Sequence, residues 1–242
     1  MKNSNKRKLK TNKILLIVHV FCACVCLIVG LFTVLLSNNS KTKDNEHHNY
    51  IATVMIDAGH GGYDGGTIGA DGTCEKDLTL ELALETGKQL QKINPDIKVV
   101  YTRTSDKITW PEDEVEDLTA RVEMAKKENA DYYFSFHINS NDDPSCDGYV
   151  SYIRKDDKVS KKITKYLSKN LSDIDWSYDR GTLTTESYPL HVVDLQKIPS
   201  ILFEAGFITN PNELQQLKDS TNQKKIAKAV AKAFDKYITE NK

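Results

Sequence analysis

The stretch Thr53 to Glu75, TVMIDAGHGGYDGGTIGADGTCE, decides how this chain is read. Thr53 to Ile56 is short, apolar and rich in β-branched residues, which predicts a buried strand. It ends in a glycine-crowded segment, Gly59, Gly61, Gly62, Gly65 and Gly66, whose backbone can turn sharply and approach a ligand closely. His60 therefore stands at a strand's exit. At the far end Glu75 opens a helical pattern carried by Leu78 and Leu82, with Leu80 and Leu84 beside them. A histidine and a carboxylate on the two rims of one loop suit a divalent metal. A dinucleotide site fits less well, because its glycines must open a helix directly and here a long loop intervenes.

Downstream, strand and helix patterns alternate. After a helix from about Lys76 to Ile93, Lys98 to Arg103 reads as a second strand, and Thr104 to Asp117 as an acidic loop on the solvated surface or the border of a cleft. Leu118, Val122 and Ala125 mark the next helix. Tyr132 to Ile138 is a third strand and delivers His137 near its end. Gly148 to Ile153 predicts a strand, Lys158 to Leu171 a helix with a strongly basic face, and Leu190 to Val193 a short strand whose His191 is structural or lines the cleft. Ser200 to Phe203 then runs into Glu204 beside Ala205-Gly206, and Pro211 to Leu217 and the stripe Ile226, Val230, Ala233, Phe234 predict closing helices. The order is that of an α/β fold: a single domain with a central mixed, largely parallel sheet flanked by helices, whose strand ends collect the site.

Upstream, residues 1–13 are basic and polar, and residues 14–36 contain no Asp, Glu, Lys or Arg. At 1.5 Å per residue that run spans roughly 30 Å, the thickness of a bilayer's hydrocarbon core. With Lys and Arg flanking only its N-terminal side, the positive-inside rule predicts a cytoplasmic tail (1–13), a single transmembrane helix (14–36) and an extracytoplasmic remainder at the cell membrane. A cleavable signal is the competing reading, but the run is long for one and Leu35-Leu36-Ser37 offers no small-residue cleavage site. The cysteines inside the run, Cys22, Cys24 and Cys26, match a lipoprotein signal poorly and read as small apolar packing. Residues 37–50 are polar and aperiodic, a linker that as a flexible coil spans roughly 20 Å. Residues 51–242 form the expected catalytic domain. Two further thiols, Cys74 and Cys146, stand in a compartment that permits a disulfide but does not require one.

The 242 residues are 39% hydrophobic and 28% charged, enough for one well-cored domain, and the formal net charge of −1 gives no argument for a nucleic-acid partner. Two histidines and a glutamate on one zinc ion leave a fourth position open, the composition of a catalytic rather than a structural site. Here the ligands would be His60, Glu75 and His137. Amide hydrolysis also needs a group that takes a proton from water and returns it to the leaving nitrogen, and Glu204 is the remaining carboxylate at a strand's end.

The motifs IDAGHGGYDGG, CEKDLTLELA, SFHINSN, Arg180-Gly181 and PSILFEAGFITNPNE, in this order, resemble the zinc-dependent N-acetylmuramoyl-L-alanine amidases of bacterial cell walls, amidase type 3. The resemblance covers Thr53 to the C-terminus. It implies that His60, Glu75 and His137 are zinc ligands and Glu204 the catalytic glutamate, and that the substrate is the amide joining N-acetylmuramic acid to the L-alanine of the peptidoglycan stem peptide. Asp194 departs from the arginine common at that place in the family. Some relatives carry a helix that plugs the zinc site. The interval before Arg180 leaves little to form one here, so an open cleft and activity without an activator protein are expected; a monomer is expected as well. The metal residues alone leave open a zinc peptidase cutting within the stem peptide, or a wall-binding module that only keeps the fold.

Overall fold

The structure, a computed structural model, describes residues 48–110 and 112–242. The expected basic tail and membrane span, and most of the linker, lie outside them. Among the described residues no helix is long and apolar enough to cross a membrane. Residues Asn49–Lys242 form one compact unit.

Six strands make one sheet: β1 (Ala52–Ala58), β2 (Ile97–Tyr101), β3 (Tyr132–Asn139), β4 (Tyr149–Ile153), β5 (Asp179–Thr184) and β6 (Ser200–Phe207), in the spatial order β2-β1-β3-β6-β4-β5. β2, β1, β3 and β6 run parallel, β4 is antiparallel to β6, and β5 is parallel to β4. The helices are α1 (Glu75–Ile93), α2 (Glu114–Lys127), α3 (Lys158–Ser172), α4 (His191–Asp194), α5 (Pro211–Lys218) and α6 (Ser220–Asn241). The sheet is thus mixed and flanked by helices, as its apolar runs predict.

Alternation along the strands sorts their side chains onto two faces. Val54, Ile56, Phe134, Phe136, Ile201 and Phe203 face a large core closed by α1, α3, α5 and α6, through residues such as Leu82, Ile163, Leu214 and Phe234. Met55, Tyr133 and Leu202 face a smaller core closed by Ala125 of α2 and by Val192 and Val193 of α4. The helix Lys158 to Leu171 is therefore part of the main core, buried through Ile163, Leu167 and Leu171.

Three local expectations are corrected. Leu190 to Val193 is not a strand: His191–Asp194 forms one helical turn, stabilised by Asp194, whose Oδ2 accepts from the Leu190 N–H at 2.8 Å, and by burial of both valines. A strand forms instead at Asp179–Thr184, where the exposed sequence DRGTLT shows no apolar alternation because an edge strand here has little to bury. The acidic loop ends early, since Asp113 caps α2 by accepting from the Val115 and Glu116 N–H groups, so Asp117 lies inside the helix and is buried. Cys74 and Cys146 are both free thiols.

Candidate metal centre

The loop between β1 and α1 is shaped so that both its ends meet. The Glu75 and Lys76 N–H groups, in the first turn of α1, donate to the carbonyls of Thr67 and Gly65 at 2.9 and 3.2 Å, so the loop caps the helix that follows it. His60 adopts the left-handed conformation, φ 61°, which turns its ring back towards the end of β3. Gly59 permits this: a Cβ there would stand 2.5 Å from the His137 Nε2 and 2.6 Å from the Phe136 oxygen.

The result is a three-residue cluster. Ligand atoms of His60, Glu75 and His137 all lie within 4.8 Å of one another. The Glu75 Oε1 is 3.0 Å from the His60 Nε2 and 3.2 Å from the His137 Nδ1. The two imidazoles meet edge to face, with centroids 4.8 Å apart. Two of the three are held from outside. The His60 Nδ1 lies 2.6 Å from the Asp64 Oδ2, leaving Nε2 to face inward, while the Ile138 and Thr67 N–H groups donate to the two Glu75 oxygens at 2.9 and 3.0 Å. Burial pushes the Glu75 carboxyl up, but hydrogen bonds and charge from both histidines outweigh it and hold the group well below the usual carboxylate range. The His60 imidazole is pushed up to about 9: burial works against its charge, and Glu75 and Asp64 together overcome that. Two nitrogen donors and a carboxylate so arranged can hold a divalent cation.

Glu204 lies inside β6 rather than at its end, because pairing with β3 continues to Phe207. It is the direct partner of His137 across the β3–β6 ladder and of Val150 across β6–β4. Its Oε2 is buried without a hydrogen-bond partner. Burial, reinforced by the negative charge of Glu75 and opposed by His60, raises its pKa to about 8. The sheet thus brings all four predicted site residues to one place. His191 is not among them; its Nε2 lies 3.2 Å from the Thr119 Oγ1 on α2. Arg180, on the edge strand, donates through Nε to the Asp147 oxygen and stacks over Phe207 at 4.9 Å.

Behind the cluster stands a buried polar network that periodicity did not reveal. Asp57, fully buried, accepts from the Arg121 Nη1 at 2.8 Å, from Ser135 at 2.5 Å and from Thr102 at 2.7 Å. Arg121 also binds Asp117 and donates to the carbonyls of Ala58 and His60 at 2.9 and 2.8 Å. Arg103 donates to the carbonyls of Ala58, Gly59 and Lys76 at 3.0, 3.0 and 2.7 Å, so two guanidinium groups hold the backbone on which His60 is mounted. The available signal was a basic residue, Arg121, within a helix turn of apolar Leu118, Val122 and Ala125.

Comparison with known proteins places the chain in a family. Residues 54–236 match the family model described as N-acetylmuramoyl-L-alanine amidase. The chain is 30% identical over 228 residues to the germination-specific N-acetylmuramoyl-L-alanine amidase of Bacillus subtilis, covering 88% of this chain and 91% of that one. Among solved structures it is similar to the CwlD amidase of Clostridioides difficile, determined in complex with the GerS lipoprotein, at TM-score 0.72 and 29% identity, over 78% of this chain and all (100%) of that one. The catalytic domain of CwlV, the amidase of Bacillus (Paenibacillus) polymyxa var. colistinus, gives TM-score 0.69 and 28% identity, over 78% of this chain and 98% of that one.

Proposed function

The chain belongs to the family of N-acetylmuramoyl-L-alanine amidases, and on that footing we propose that His60, Glu75 and His137 hold one zinc ion while Glu204 carries the proton of the reaction. It is a peptidoglycan amidase, hydrolysing the bond between N-acetylmuramic acid and the L-alanine of the stem peptide. The carrying observation for the residue roles is the cluster with Glu204 beside it in register.

The donor set suits zinc. Two imidazole nitrogens and a carboxylate oxygen that lie within 4.8 Å of one another would hold it and would leave a position open for water. The Asp64 carboxylate behind His60 fixes the tautomer and raises the ring's basicity, as outer partners of ligating histidines do. Bound there, zinc supplies a Lewis acid that acidifies water and polarises an amide carbonyl.

The rest of the work falls to the chain. Glu75 is held in position by two backbone N–H groups. Glu204 has a buried oxygen with no protein partner and a carboxyl whose pKa is raised to about 8, so its carboxylate form binds a proton from the attacking water readily and the resulting acid passes it to the leaving nitrogen of L-alanine. The departing amine leaves as the free N-terminus of the stem peptide. For the remainder of the molecule the reading is a single-pass anchor at residues 14–36, a catalytic domain outside the cytoplasmic membrane, a monomer, and turnover without an activator. Burial of α3 in the main core supports the last point, because that helix is not free to plug the cleft.

The test is digestion of purified peptidoglycan by metal-depleted and zinc-restored protein, read by mass spectrometry. Free stem peptides beginning with L-alanine, appearing only with zinc, are expected. Internally cut peptides, or equal turnover without metal, would overturn the proposal.

A further inference from the structure

Charge is segregated in this domain to a degree that catalysis does not use. α3 and α6 together carry ten lysines against two acids, a formal +8, while the rest of residues 48–242 carries 15 basic and 30 acidic side chains, a formal −15. The two helices lie side by side and antiparallel: the Asn170 Nδ2 donates to the Ala229 oxygen at 2.9 Å, and at the other end the Tyr166 hydroxyl donates to Glu240 at 2.6 Å. Their lysines consequently share one exposed face. Lys162 pairs with Glu240 and Lys169 with Asp173, but Lys161, Lys165, Lys225, Lys228, Lys232 and Lys236 are exposed and form no ion pair among the described residues. Helical neighbours three or four apart stand ~5–6 Å from each other, inside the ~8 Å Debye length of physiological salt, so these charges repel one another in the free protein. An anionic surface laid on the face relieves that repulsion.

We propose that the α3–α6 face is a docking surface for the anionic headgroups of a phospholipid bilayer. The basic residues there are all lysines, compact and hydrated point charges suited to multivalent contact with a mobile headgroup layer rather than to bidentate recognition of one ligand. The face belongs to two antiparallel helices lying side by side and offers an extended contact rather than a pocket. It also adjoins the place where the chain enters the domain: Asp131 accepts from the Thr53 N–H at the start of β1 and lies 3.9 Å from the Lys242 Nζ just beyond α6. On the sequence reading of a membrane span followed by a linker, the domain is tethered to a bilayer through the chain that enters at this end. The orientation suits the reaction. Phe203 and Ala205 point into the core beneath α3 and α6, so Glu204 between them, with His137 beside it, lies on the opposite side of the sheet. Docking would leave the cleft turned away from the lipid and towards the wall. The proposal does not depend on the zinc and Glu204 assignments.

The test is amine acetylation of the full-length protein reconstituted with vesicles of phosphatidylcholine, with or without a third of phosphatidylglycerol, read lysine by lysine by mass spectrometry. Lys161, Lys165, Lys232 and Lys236 should react several-fold more slowly on the anionic vesicles and recover at high salt. Lys126 and Lys155, exposed elsewhere on the domain, should be indifferent to lipid charge. The double variant Lys165→Glu, Lys232→Glu should lose the protection of Lys161 and Lys236 while cleaving a soluble muropeptide as the wild type does, which reports an intact fold. Equal reactivity on both vesicles would overturn the proposal. So would protection by a soluble glycerol-phosphate polymer and not by vesicles, which would assign the face to a wall polyanion. The wild-type footprint alone decides the matter if the double variant does not fold.

Discussion

The three residues of the metal cluster and Glu204 sit side by side, yet they are held in opposite ways. His60 and Glu75 are each fixed from outside, by Asp64 and by the N–H groups of Thr67 and Ile138, and His137 is fixed by its strand. Glu204 is placed by its strand too, but its buried oxygen has no partner. Under the proposed roles, two of the three groups that would keep their geometry around an ion are tied by hydrogen bonds from outside the cluster. The group proposed to gain and lose a proton has a buried oxygen without a bond that would favour one state, and burial, with the charge of Glu75 added and that of His60 opposing, raises its pKa to about 8.

The comparison can be broken at either end. Replacing a tied ligand should have the largest effect: Glu75→Ala is expected to remove both zinc and turnover, and metal analysis that finds the variant fully loaded would cancel its assigned role. Glu204→Gln comes next. It should lower turnover by about 10²–10⁴-fold while zinc content and thermal stability stay as in the wild type. A zinc-free Glu204→Gln would mean that this residue belongs with the ligands.

The platform beneath the cluster is a third term. Arg121→Ala leaves Asp57 buried without its cation and should cost about 3–5 kcal/mol of stability, measured by denaturant unfolding. The same pair sets an acid limb. Burial pushes the Asp57 carboxyl up, but Arg121, Ser135 and Thr102 more than offset this and hold it well below its ordinary range. A depressed folded pKa adds stability above the unfolded value, about 3.9, and that stability is lost as pH falls towards the folded value. Asp57→Asn should therefore be less stable at neutral pH and show a shallower acid limb; an unchanged limb would assign acid sensitivity to other carboxylates. The smallest effect is expected at Asp64→Asn, which loosens His60 without removing it. Zinc affinity should fall about 10–100-fold in a chelator competition, with turnover recovered at saturating zinc.

Much of this was legible from the chain alone because it is local. β1 and β3 announce themselves by largely apolar runs, since strands buried on both faces are mostly apolar, although each also buries a polar residue, Asp57 and Ser135. Glu75 was found at a helix start and His137 near a strand's end. What was missed is non-local or unpatterned. Asp57 and Arg121 are 64 residues apart in sequence, and only the packing of α2 against β1 pairs them. β5 lies at the sheet edge with most of its residues exposed and so carries no burial pattern, whereas Leu190 to Val193 looked like a strand because a short apolar run has no period of its own.

The amino-acid sequence by itself determined most of the order of elements, the four polar residues proposed for the site and the lysine content of α3 and α6, because each is a property of composition or of spacing within one element. Tertiary structure alone decided that Glu204 pairs with His137 inside a sheet, that Asp64 and two arginines support His60, and that two lysine-rich helices 48 residues apart, from Ser172 to Ser220, form one face. The reason is physical. Burial periodicity reports whether a residue faces the core, but not which residue from a distant segment it meets there.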